Sequence, residues 1–72
     1  MPKLPVLSGV DVIKALERLG FGQVRQRGSH VVMRRGSAGT VVPLCREVKT
    51  GTLAGILRQA VVTQDEFLGA VR

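Results

Sequence analysis

Aromatic residues are nearly missing from this chain, which has two Phe and neither Trp nor Tyr. Stacking platforms for unpaired bases are therefore largely closed to it. Cysteine is scarcer still: one Cys45 cannot form an internal disulfide, and with a single histidine, His30, it supplies too few ligands for a structural zinc site. Acidic residues number five against eleven Lys and Arg, and none falls in the central basic run, which argues against a paired-carboxylate or metal-carboxylate site. The start, Met1-Pro2-Lys3-Leu4-Pro5, lacks the apolar stretch of a signal peptide or membrane span. The expectation is a soluble cytoplasmic protein with no membrane partner, metal or small-molecule cofactor.

What is present is positive charge on a small body. Seventy-two residues make one domain, expected to span 1–72, and a chain of this size hides only about 60% of its unfolded surface. A net charge of +6 predicts a polyanionic partner, RNA or DNA ahead of a membrane surface, although an acidic protein would also satisfy it. Eight of the eleven cations are Arg, whose planar fork suits bidentate contact with phosphate.

The order of elements is readable from local signals. Pro2 and Pro5 favour an extended arm over residues 2–7. Ser8 offers an N-cap, Asp11 stands at the third position of a capping box, and Val12, Ile13, Leu16 and Leu19 make one apolar face, so a helix is expected over 9–19 with Gly20 as its left-handed stop. From Gly22 the period becomes two. A first strand should place Val24 and Gln26 on one face and Arg25 and Arg27 on the other, and Gly28 permits a tight reversal. Ser29 to Arg34 then forms a second strand, with Val31 and Met33 on one side and His30, Val32 and Arg34 on the other.

Arg35 to Gly39 reads as a hairpin connection and Thr40 to Leu44 as a third strand, where Pro43 suits an edge or a strand end. Cys45 to Lys49 is a loop. Leu53, Ile56, Leu57 and Ala60 define a second helix capped by Thr50 or Thr52, and Thr63-Gln64-Asp65-Glu66 is a capping box that starts a short third helix. The expected class is α+β: an α-β-β-β-α order with an antiparallel three-stranded sheet and the helices on one of its faces.

One ordered set of pieces is more specific. Leu4-Pro5-Val6-Leu7-Ser8-Gly9, Leu19-Gly20-Phe21, Arg25-Gln26-Arg27-Gly28-Ser29-His30, Val42-Pro43, Gly51-Thr52-Leu53 and Ile56-Leu57-Arg58-Gln59-Ala60 together resemble the HicA family of toxins over roughly residues 3–69. The resemblance implies a fold like the double-stranded RNA-binding domain and a ribonuclease that cuts messenger RNA under the control of a cognate HicB antitoxin. It also implies that His30, in the Gly-Ser-His motif, is catalytic. In many members a second histidine follows the Val-Pro strand end, where this chain carries Cys45.

His30 is thus the candidate acid-base residue, because an imidazole exchanges protons near neutral pH. It has no imidazole partner, and one ring cannot be both acid and base in a single concerted step. Water, a substrate group or a neighbouring residue must help. Arg25, Arg27, Arg34 and Arg35, with Ser29, are the candidate RNA ligands; the bland alternative is a solvated strand face that resists aggregation. Lys3, Lys49 and Arg58 are secondary phosphate candidates. Gly28 and Ser29 read better as a turn than as a phosphate cradle, and Cys45 better as an inert thiol than as a nucleophile. Two other readings share the sequence: a non-catalytic RNA-binding module of the same fold, and an inert relative that keeps only antitoxin binding.

Overall fold

The computed structural model describes residues 4–71; the expectations for Pro2 and Lys3 lie outside it. The chain runs α1 (Gly9–Arg18), β1 (Gly22–Arg27), β2 (His30–Arg35), β3 (Ala38–Pro43), α2 (Thr50–Ala60) and α3 (Gln64–Val71). The strands form an antiparallel sheet in the order β1-β2-β3, so the α+β class and the α-β-β-β-α layout are as expected.

Local signals set both ends of α1 and the start of α3. The Ser8 hydroxyl accepts the Asp11 N–H at 3.1 Å at the start of α1. At its end Gly20, with φ +97°, lets its own N–H reach the Glu17 carbonyl while that of Phe21 reaches Leu16, both at 3.0 Å, as in a Schellman stop. The third helix has its capping box closed in both directions: the Thr63 N–H donates to Glu66 Oε1 at 3.2 Å, and the Glu66 N–H donates to the Thr63 hydroxyl at 3.1 Å. The start of α2 departs from expectation. Lys49, not Thr50 or Thr52, is the N-cap residue, and no side chain caps the helix. Val48 explains the offset, because its N–H is held by the Leu7 carbonyl at 2.6 Å, which fixes the extended chain up to Lys49.

Both hairpins are tighter than the Arg35 to Gly39 connection suggested. Arg27 pairs with His30 and Arg35 with Ala38, leaving two-residue turns Gly28-Ser29 and Gly36-Ser37. Glycine comes first in each, with φ +57° and +60°, as turns that match the twist of antiparallel strands require. Consequently β3 begins at Ala38.

Val31, Met33, Thr40 and Val42 are buried on one side of the sheet against Val12, Leu16, Leu53, Leu57 and Phe67. The helices therefore lie on a single face and the other face is bare. In β1 a register shift between Gln23 and Arg25 changes the expected alternation: Gln23 and Gln26, not Val24 and Gln26, share the helix-side face, opposite Met33 and Val31. Val24 is left 59% exposed. Among the described residues no helix is long and apolar enough to cross a membrane.

Candidate nucleic-acid interface

The bare face is built in rows across the three strands, since residues paired in an antiparallel sheet project to the same side. The first row is Arg27, His30 and Pro43; the second is Arg25, Val32 and Val41; the third is Gly22, Arg34 and Gly39. Rows are two residues apart along β2 and β3, about 6.8 Å, which is close to the spacing of successive phosphates in an extended RNA strand. Three arginines and the only histidine share this face with no carboxylate.

His30 is exposed at the first position of β2, directly after the Gly28-Ser29 turn. That turn is held: the Ser29 carbonyl accepts the Leu44 N–H at 2.6 Å, and Gln26 Nε2 donates to the Gly28 carbonyl at 3.1 Å. Directly opposed pairs bring Cβ atoms to about 5 Å, so Arg27 sits beside the imidazole within reach of any phosphate that touches it. Arg34 lies across Gly39, where an added Cβ would meet its Cγ at 3.4 Å. Its stem borders an open groove of about 500 Å³ lined also by Val32, Val41 and Gln59.

Arg35 stands apart from the other three. It is on the helix side of β2, where its guanidinium lies 4.8 Å from the Phe21 ring centroid and donates from Nη1 to the Leu19 carbonyl at 2.8 Å. It braces the end of α1 and is not presented on the bare face. Cys45 is exposed, with its thiol 3.2 Å from the Glu47 carbonyl, and no imidazole follows the strand end. Lys49 and Arg58 belong to α2 and its approach, not to the sheet face. Among the described residues no three His, Cys, Asp or Glu side chains are grouped to hold a metal ion. Gln23 and Gln26, on the helix-side face of β1, carry no sequence signal beyond an amide at strand positions where an apolar residue is usual.

Residues 9–62, three quarters of the chain, match the family model of the HicA toxin of bacterial toxin-antitoxin systems. The chain belongs to the HicA toxin family. No curated protein matches it significantly. The matched segment runs from α1 to the residue after the α2 cap, and so includes the whole sheet and its Gly-Ser-His turn. As a HicA family member the chain is the toxin of a toxin-antitoxin system, which implies an antitoxin partner, and membership supports nuclease activity in general.

Proposed function

We propose that the protein is a metal-independent endoribonuclease of messenger RNA, that His30 moves the proton in the reaction, and that a HicB-like antitoxin silences it. The observation that carries this reading is the first row of the bare face: an exposed imidazole beside Arg27, on a surface with three arginines and no acid. Phosphates of a single strand follow the rows, with Arg25, Arg27 and Arg34 as ligands and the Ser29 hydroxyl at the turn. The 72 residues act as one toxin domain in the cytoplasm, where messenger RNA is read.

The chemistry needs only proton transfer and charge neutralisation. When a ribose 2′-oxygen attacks its neighbouring phosphorus, the P–O5′ bond breaks, leaving a 2′,3′-cyclic phosphate and a 5′-hydroxyl. One proton leaves the 2′-hydroxyl and one reaches the departing 5′-oxygen. His30 performs one of these transfers and water the other, while Arg27 offsets the charge that builds on the phosphate oxygens. An antitoxin covering the rows would exclude RNA without altering the fold.

The test is cleavage of an end-labelled single-stranded RNA in EDTA by the parent and by His30→Ala, with RNA binding measured in parallel. Cleavage should fall by about 10²–10⁴ while binding stays within about twofold. If both proteins bind and neither cuts, the non-catalytic module of the same fold replaces this reading.

A further inference from the structure

The first strand extends beyond the helical layer. All six of its residues are exposed, whereas β2 and β3 bury alternate positions against the helices. Its two helix-side residues are amides, Gln23 and Gln26, brought onto one face by the register shift between Gln23 and Arg25. Together they form one wall of a trough of about 210 Å³, and α1 forms the other through Val10, Lys14 and Glu17, with Leu44 at the end nearest the Gly28-Ser29 turn. Among the described residues no strand pairs with the outer edge of β1, so a ligand can pass from one face of the strand to the other.

Polarity in the trough has the character of a site that reads edges. Gln26 Nε2 donates to the Gly28 carbonyl at 3.1 Å, which anchors the amide, and the same group carries an acceptor, Oε1, and a second N–H. An acceptor and a donor on one amide match a base that offers an exocyclic N–H beside a ring nitrogen, which adenine does on two edges, with N1 and with N7, and cytosine on one. Val10, which is 51% exposed, and Leu44 give the flat face of a base an aliphatic surface where the chain has no aromatic to offer. The residues flanking Gln26 lie on the opposite face, Arg27 in the row of His30 and Arg25 in the next row. Sequence-specific recognition of RNA works on unpaired bases turned out in this way from a held backbone.

We infer that the trough between α1 and β1 is a nucleobase subsite, in which Gln26 and Gln23 read one adenine that crosses the edge of β1 while Arg25 and Arg27 hold the adjoining phosphates. The inference rests on the ribonuclease reading for its substrate class, but it concerns base discrimination, which is measured separately. It assigns cleavage preference to residues outside the row that performs the chemistry.

Two measurements test it. Cleavage positions are mapped by end-sequencing on an RNA of balanced composition for the parent, Gln26→Ala and Gln23→Ala. On the His30→Ala background, binding of short A, C, G and U oligoribonucleotides is compared with and without each Gln change. The expected result is adenine enrichment at one fixed position relative to the cut, preferential binding of the A oligomer, and a loss of both by about fivefold or more in the Gln variants. Gln23→Ala removes no intramolecular hydrogen bond and keeps the test valid if Gln26→Ala disturbs the turn. Equal binding of the four oligomers, or a preference that both Gln variants retain, overturns the inference even if the parent cuts. A Gln effect on antitoxin binding with base preference intact overturns it too. Failure of the parent to cut bears on the ribonuclease reading, and the oligomer comparison still decides the subsite.

Discussion

Arg27 and Arg35 stand eight positions apart in one basic run and do different work. Arg27 is exposed in the row of His30, while Arg35 is laid on Phe21 and bonded to the Leu19 carbonyl. Arg35→Ala should therefore cost about 1–2 kcal/mol of stability in urea unfolding, from one hydrogen bond and one cation–π contact, with little change in RNA affinity. Arg27→Ala should do the reverse, staying within about 0.5 kcal/mol of the parent and weakening RNA binding. Gly9 carries a second residue-scale constraint: a Cβ there would overlap the Pro43 carbonyl oxygen and come within 3.0 Å of Leu44 Cα. Because the obstacle is backbone, Gly9→Ala should destabilise by about 1–3 kcal/mol, seen as a lower urea midpoint with the slope unchanged. At this scale His30 was legible as the only histidine, whereas the division of labour among the arginines was not, since strand position alone does not say which layer a side chain meets.

Helix ends show which elements carry their own instructions. The Thr63–Glu66 box was readable because its partners are three residues apart, and it forms as written. The Thr63 N–H first, its hydroxyl second and Arg35 last hold the Glu66 carboxyl below its ordinary range, against a small opposing effect of burial. A depressed folded value means that this contribution is complete above the ordinary carboxylate range, about 4.3, and is lost as pH falls through the lowered value. Thermal melts of the parent and Glu66→Gln should thus differ at pH 7, the parent melting higher, and converge in strongly acidic buffer. The start of α2 was misread because its position depends on the Leu7–Val48 bridge, which joins segments some forty residues apart. Its end is equally non-local in character: Val61 sits at φ +57°, a costly place for a β-branched side chain, while its neighbour Val62 is buried.

Over the whole molecule, charge is sorted by layer. The five acids, Asp11, Glu17, Glu47, Asp65 and Glu66, lie on helices or in the loop before α2, and the sheet contains none. Its bare face therefore attracts polyanions more strongly than the net charge of +6 alone implies. Three arginines engaging three phosphates of a single strand give a plot of log affinity against log salt with a slope near about −2. Replacing Arg25, Arg27 or Arg34 by Ala should reduce that slope by about 0.7 each, and Arg35→Ala should leave it unchanged, by titration from 50 to 200 mM salt. A slope insensitive to the changes at Arg25, Arg27 and Arg34 would remove RNA from the sheet face.

The sequence by itself determined the helix and strand order, the reversal at Gly28, the neighbourhood of the second reversal and the outward setting of His30, because each depends on contacts within about four residues or on a simple alternation. Tertiary structure decided the rest. The bulge in β1 arises from how that strand meets β2, and it turns Gln23 and Gln26 to the same side. The place of Arg35 is set by Phe21 and Leu19, which reach it from the preceding corner. Such outcomes depend on surfaces that meet only after the chain has folded, so no local pattern encodes them.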